Sequence, residues 1–260
     1  MRKLLIAGNW KMHLNTMQAS ILMHRLQERI RIYRDIEVVV APSMLVLQPL
    51  SLQVDRRKFR LAAQNAYHKD EGAFTGEVSF TMLRDLVHYV IIGHSERRHV
   101  FGETLADVAL KVEAANRNGI TPILCVGETK TERLDGHTRR VLHDQVVSAL
   151  KGLTSDEIED LVIAYEPVWA IGTGDVATPD QAAEAIKTIR HNINELYGKK
   201  AAENVRVLYG GSVVPDVARG FLEVDGVDGF LVGGASINYH QFSAIVDTAY
   251  RMRREIGAED

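Results

Sequence analysis

Three residues far apart in the chain are of types that handle protons and charge. Glu166 ends an apolar run in "AYEPVWAIGTGD" (164–175), with Pro167, Trp169 and glycines at 172 and 174 close behind. A carboxylate placed there is either part of an acidic turn or a base carried at the root of a movable segment. Pro167 restricts the backbone of the residue before it. Trp169 offers an apolar wall, and partial desolvation raises a carboxylate's basicity. His94 lies in "IIGHSERR", between an apolar run and a polar segment able to open a helix. A helix starting at Ser95 would aim its amides at the imidazole and favour the neutral ring, a donor for a carbonyl oxygen. Without that helix, His94 is an ordinary hydrogen-bonded histidine. Lys11, in "GNWKM", is either a surface lysine or a fixed cation for an anionic group. The glycine pairs in "YGGS" (209–212) and "VGGAS" (232–236) let backbone N–H groups approach an anion with no Cβ in the way. One such pair usually marks only a turn.

These residues need elements to hold them. Short, near-continuously apolar runs recur at 4–8, 36–42, 59–65, 89–93, 120–127, 160–167, 205–211 and 227–234, as expected of strands covered on both faces. Amphipathic helical segments lie between them. One opens at "TMQASILMHRLQERI" with Thr16 as cap, and "TLADVALKVEAANRNG" stops at Gly119. "TPDQAAEAIKTIRHNINELYG" has Thr178 as cap, Pro179 at the first helical position and Gly198 as stop. The charged "KTERLDGHTRR" reads as a solvated loop and helix face, and the terminal "GAED" as a frayed end. Eight βα units without a linker predict a single domain over 1–260, an α/β fold of the closed (β/α)8 barrel type, rather than a doubly wound open sheet.

Bulk properties narrow the function. At 46% hydrophobic and 25% charged residues the composition is globular, with enough chain in 260 residues for one large core. A net charge of −3 with Lys and Arg scattered along the sequence gives no footprint for nucleic acid or an anionic membrane. A small anionic ligand stays compatible, because charge within a cleft can oppose the net charge. The single Cys125, in the apolar "ITPILCVGE", excludes an intramolecular disulfide and reads as a small buried hydrophobe. The opening "MRKLLIAGNWK" is interrupted by Asn9 and Lys11 before it reaches signal-peptide length, and no run is long enough to span a membrane. A soluble cytoplasmic protein is expected.

Polar and glycine-rich strings follow the strand runs: "GNWK", "QN", "GHSER", "EPVWAIGTG", "YGGS" and "VGGAS". A barrel gathers such C-terminal strand ends onto one mouth. With "QNAYHKDEGAFTGEVS", "FGET" and "CVGE", the ordered set resembles the triosephosphate isomerase family along essentially the whole chain.

That resemblance implies reversible interconversion of dihydroxyacetone phosphate and D-glyceraldehyde 3-phosphate through an enediolate, in glycolysis and gluconeogenesis, without organic cofactor or metal. It makes Glu166 the proton-abstracting base, His94 the neutral donor and Lys11 the cation that attracts phosphate and stabilises the enediolate. Asn9 becomes an adjacent polar contact, and Glu96 a residue that orients its neighbours. Ser212, Gly233 and Gly234 grip the phosphate, with Gly172 joining from a lid whose apolar tip, Ala170 and Ile171, sits between "PVW" and "GTG" hinges. The segment 67–79 implies a homodimer, with Phe74 reaching into a partner's pocket and Thr75 near the partner's site.

Other readings stay open on residues alone. "GTGDVA" satisfies a dinucleotide fingerprint and suggests a nicotinamide-dependent oxidoreductase, but "EPVWAI" intervenes before its first glycine. A non-catalytic barrel would be signalled by loss of Lys11, His94 or Glu166, all of which are present. A phosphosugar isomerase with a different substrate is a further alternative. No metal-ligand spacing is evident: "HSERRH" lacks the H-E-x-x-H arrangement. His13, Asp175 and Asn238 depart from the usual family pattern.

Overall fold

The computed structural model describes residues 2–172 and 175–256, so Thr173, Gly174 and the terminal "GAED" lie outside the described residues. Eight strands form a closed parallel barrel. They are β1 (Leu4–Asn9), β2 (Ile36–Ala41), β3 (Phe59–Ala63), β4 (Tyr89–Ile92), β5 (Thr121–Val126), β6 (Val162–Tyr165), β7 (Arg206–Tyr209) and β8 (Gly229–Val232). Each pairs with the next, and β8 returns to β1 from Leu5↔Gly229 to Gly8↔Val232. Closure there depends on Gly229: at φ +134°, a Cβ would stand 1.9 Å from the Leu5 carbonyl oxygen. The predicted (β/α)8 fold is the observed one.

Alternation along the strands splits the core in two. Leu5, Ala7, Val39, Ile91, Ile123 and Leu231 belong to one buried cluster, while neighbouring Leu4, Ile6, Val38, Val40, Ile92 and Val232 pack with helix residues in another. The first cluster fills the barrel and the second seals it against its helices, as strands buried on both faces require. Cys125 belongs to the interior cluster, where burial pushes its thiol well above the ordinary range.

Most strands are shorter than the apolar runs that announced them. Gln64, Glu166, Gly210 and Gly233 lie just past their strands, at the C-terminal mouth. The helix Leu105–Arg117 ends with Gly119 at φ +69°, and Thr178 accepts from the Gln181 amide to cap the helix at Pro179. Gly198, at φ +83°, breaks that helix before a further turn to Asn204. One cap differs from expectation. Asn15 rather than Thr16 opens the first helix, Thr16–Arg29, because its side chain accepts from the Gln18 amide and Gln18 returns the bond to the Asn15 amide. Asn238 likewise accepts from the His240 and Gln241 amides at the start of the last helix, Tyr239–Ile256. That departure therefore keeps a helix cap. The charged stretch after β5 is mostly solvated, but Arg133 turns inward to Glu128 at 3.0 Å.

Candidate active site

The C-terminal mouth brings the three reactive side chains together. Lys11 follows β1 in a left-handed conformation, φ +50°, which a lysine adopts only when its surroundings hold it. Two contacts do so: its amide donates to Asn9 Oδ1 at 3.0 Å, and Gln64 Nε2 donates to its carbonyl at 2.8 Å. Its ammonium then meets Glu96 Oε1 at 2.6 Å. A Cβ built on Gly233 would stand 3.5 Å from Lys11 Cε, so the cation lies beside the glycine turn after β8.

His94 follows β4, and the expected helix begins beside it at Ser95 and runs to His99. The Glu96 amide donates to Nδ1 at 3.2 Å, which requires a lone pair there and places the ring proton on Nε2. Nε2 faces Glu166 Oε1 at 2.9 Å. The Ser95 amide donates to Glu166 Oε2 at 2.8 Å. A continuous chain of contacts thus runs from Lys11 through Glu96 and His94 to Glu166.

The electrostatics differ from the expectation that desolvation alone makes Glu166 more basic. Burial does push its carboxyl up, but His94, the Ser95 amide and Lys11 together hold it below the ordinary carboxylate range. For His94, burial pushes down and the Glu166 carboxylate outweighs it, drawing the ring above its usual value. The Glu96 amide at Nδ1 opposes that rise. Glu166 is therefore held as an anion while paired. Its immediate surroundings include Cys125, Val126 and Val168. Trp169 directs its indole N–H to Glu128 Oε1, at 2.9 Å.

The backbone gives the carboxylate its place. A Cβ on Gly127 would stand 1.7 Å from the Glu166 carbonyl oxygen, and one on Gly210 would stand 3.1 Å from Glu166 Cγ. Beyond Pro167, a single 3-10 turn spans Val168–Ala170. The Ser212 hydroxyl, after β7, donates to the Ala170 carbonyl at 2.8 Å and so ties this turn to the "YGGS" glycines. Gly172 is exposed at φ +69°. Gly233 precedes a 3-10 turn, Gly234–Ile237, pinned by Ser236 Oγ donating to the Gly233 and Asn9 carbonyls.

Phe74 and Thr75 stand apart from this cluster. Phe74 packs on Tyr67 with ring centroids 4.7 Å apart yet remains 39% exposed, and Thr75 is exposed beside it. Residues overlooked in the sequence include Glu128, the Ser95 amide, Gln64 and Arg98. Arg98 donates to the Gly93 and Cys125 carbonyls at 2.7 and 3.0 Å. Glu128 follows β5 as Glu166 follows β6, so the strand-end rule reaches it; Arg98 carries no such signal. The dinucleotide fingerprint lacks its strand–turn–helix setting, because the Val168–Ala170 turn separates Gly172 from β6 and the next helix starts only at Pro179. Among the described residues, no three His, Cys, Asp or Glu side chains converge as a metal site, and no helix is long and apolar enough to cross a membrane. Asp175 pairs with Lys130 at 2.9 Å, and His13 is exposed.

Comparison with known proteins places nearly the whole chain in one family. A sequence model of the family described as triosephosphate isomerase matches residues 4–249. A triosephosphate isomerase of Carboxydothermus hydrogenoformans is 46% identical over 247 residues, covering 95% of this chain and 98% of the relative. That of Geotalea uraniireducens is 47% identical over 247 residues, with the same coverage. That of Moorella thermoacetica is 48% identical over 248 residues, covering 95% of this chain and 99% of the relative. Matched through all eight strands and nearly half identical to full-length relatives, the chain belongs to the triosephosphate isomerase family.

Proposed function

We propose that this chain interconverts dihydroxyacetone phosphate and D-glyceraldehyde 3-phosphate, in glycolysis and gluconeogenesis, using Glu166, His94 and Lys11. The observation that carries the reading is the contact chain Lys11–Glu96 at 2.6 Å and His94–Glu166 at 2.9 Å, beside the glycine turns after β7 and β8. The substrate phosphate lies against Gly233, Gly234 and Ser212, with Gly172 closing from the lid, and Lys11 supplies the opposing charge. Glu166 leaves the Ser95 amide to take a proton from the carbon next to the carbonyl. As that C–H bond breaks, its electrons form the enediolate, and His94 Nε2–H donates to the oxygen that gains charge. Once Glu166 has swung away, burial and the Glu96 amide favour the neutral ring. His94 passes a proton between the two oxygens, and Glu166 returns its own proton to the neighbouring carbon. Asn9 fixes the Lys11 amide, and Glu96 orients the Lys11 ammonium.

Closure of the segment around Ala170 and Ile171 excludes water and retains the phosphate of the intermediate. The exposed loop around Phe74 and Thr75, with exposed Met12, Met82 and Phe101, supports a homodimer, and the glycolytic reaction supports a cytoplasmic setting. The test is a coupled isomerase assay on purified protein with both triose phosphates and a four-carbon analogue. Turnover of the triose phosphates well above that of the analogue is expected. Equal or absent turnover would reject the assignment.

A further inference from the structure

The opposite mouth of the barrel carries a feature that the reaction does not use. The segment from Arg29 to Ile36, leading into β2, and the C-terminal end of the last helix border a cleft of about 1160 Å³. Among the described residues, Arg29, Arg31, Arg34, Arg251, Arg253 and Arg254 line it, with Asp35, Asp247 and Glu255. Two of those carboxylates are already engaged: Asp247 accepts from the Tyr33 hydroxyl at 2.9 Å, and Glu255 pairs with Arg219 at 2.8 Å. Among the described residues, none of Arg29, Arg31, Arg34, Arg251 and Arg254 has a carboxylate at ion-pair distance. Arg29 turns its guanidinium over the Tyr239 ring, 5.0 Å away, and Arg254 lies over Tyr250, 6.0 Å away, so Arg31, Arg34 and Arg251 are the cations with neither a ring nor a described carboxylate against them.

Helix ends explain part of this. Arg29 lies in the last turn of the first helix, and Arg253 and Arg254 in that of the final helix, where cations complement the dipole. Arg31 and Arg34 are on the connecting loop and gain nothing from that effect. Arg251 is exposed on the last helix. Tyr33 and Tyr250, with ring centroids 4.5 Å apart, also line the cleft and give it an aromatic surface.

We propose that this cleft binds a chain of linked phosphates, such as inorganic tripolyphosphate or the triphosphate of a nucleotide. Guanidinium forks match phosphoryl oxygens bidentately. A single phosphate carries at most about two negative charges, whereas linked phosphates bring more charge and more oxygens for several guanidinium groups. The cleft is also larger than the roughly 300–1,000 Å³ typical of drug-sized ligands, far beyond what orthophosphate fills. This site is separate from the catalytic mouth, so it stands or falls independently of the isomerase reading.

Calorimetric titration of the full chain at low salt with sodium tripolyphosphate, ATP and orthophosphate tests it. One tripolyphosphate site per chain is expected, at least about tenfold tighter than orthophosphate and weakening as salt screens the arginines. Arg31→Glu with Arg251→Glu should weaken it by a further tenfold or more, with the thermal melt and isomerase rate retained. Arg34→Glu serves as a second variant should the pair disturb folding. ATP binding no tighter than tripolyphosphate supports recognition of the phosphate chain alone, and tighter ATP binding adds contact with the tyrosines. The proposal fails if tripolyphosphate binds no better than orthophosphate, or if the arginine reversals leave binding intact. It also fails if Lys11→Met abolishes binding, which would place the ligand in the catalytic mouth.

Discussion

His94 Nε2 lies 2.9 Å from Glu166 Oε1, so two side chains assigned to separate steps of the reaction are hydrogen-bonded to each other. Each masks the other: the carboxylate draws the imidazole upward, and the imidazole holds the carboxylate down. Glu166→Gln removes the charge while keeping the shape. His94 should then fall below its ordinary pKa, because burial remains and the Glu96 amide still requires a lone pair on Nδ1. In the wild-type protein it should titrate above the ordinary value. An NMR titration of the imidazole nitrogens in both proteins checks the direction, and identical titrations would mean the pairing is absent in solution.

Geometry rather than charge governs the second expectation. Glu166→Asp withdraws the carboxylate by one methylene from both His94 and any substrate carbon. Turnover should drop roughly 10²-fold or more, since reacting groups must meet at near-contact distance. The fold should be spared, because the backbone at this position is set by Gly127 and Gly210. Rate measurements beside a circular dichroism melt separate the two effects, and an unchanged rate would remove Glu166 from its role.

Two glycines at the mouth should respond oppositely to alanine. Gly127 has the Glu166 carbonyl oxygen 1.7 Å from where a Cβ would go, and the Gln145 side chain bonds both its amide and its carbonyl, at 2.8 and 3.1 Å. The Gly127 end cannot move aside without losing those bonds. Gly127→Ala should cost about 3 kcal/mol and displace Glu166. Around Gly234 a Cβ meets nothing within 4 Å. Gly234→Ala should leave stability within about 0.5 kcal/mol, so a raised KM would report loss of phosphate approach to the backbone. Urea unfolding and steady-state kinetics on both variants decide the comparison.

At the other mouth, Glu37 on β2 accepts from Tyr89 at 2.8 Å and Arg206 at 2.9 Å. Burial pushes its carboxyl up, but these partners outweigh burial and hold it below its ordinary value of 4.5. A folded-state pKa below the unfolded one contributes stability that is fully present above the unfolded value and lost as pH falls through the folded one. Glu37→Gln should therefore destabilise by about 3 kcal/mol at neutral pH, stranding Arg206. The gap to wild type should narrow below pH 4.5. Urea unfolding at neutral and acid pH measures it, and a gap independent of pH would contradict the linkage.

The barrel and its trio were legible because strands buried on both faces leave continuous apolar runs, and reactive types follow those runs. Lys11, His94 and Glu166 all sit at such ends. What stayed hidden depends on distance in space. Nothing in "IIGHSERR" says that the Ser95 amide restrains a carboxylate on another strand. Thr16 and Asn15 are adjacent cap formers, and only the return bond from Gln18 selects Asn15. The arginines of 29–34 and 251–254 look scattered until the last helix packs back against the segment before β2.

Glu128 is the residue through which the lid's root can be tested without touching the substrate groups. Its Oε1 accepts from Tyr165 at 3.1 Å, Trp169 at 2.9 Å and Arg133 at 3.0 Å, while its carbonyl accepts from the Val168 amide at 3.1 Å. The carboxylate is fully buried, so its charge is an acceptor hub for donors on two segments. Glu128→Leu roughly keeps the volume but removes the acceptor that these donors share. The indole of Trp169 should lose the Glu128 acceptor and admit water, shifting its emission to the red. Trp10, the other tryptophan, is wholly buried, and Trp10→Phe leaves Trp169 as sole reporter. In that background Glu128→Leu should also raise KM several-fold, since the lid starts from a loosened root. Unchanged emission and KM would show that Glu128 does not hold the Trp169 turn.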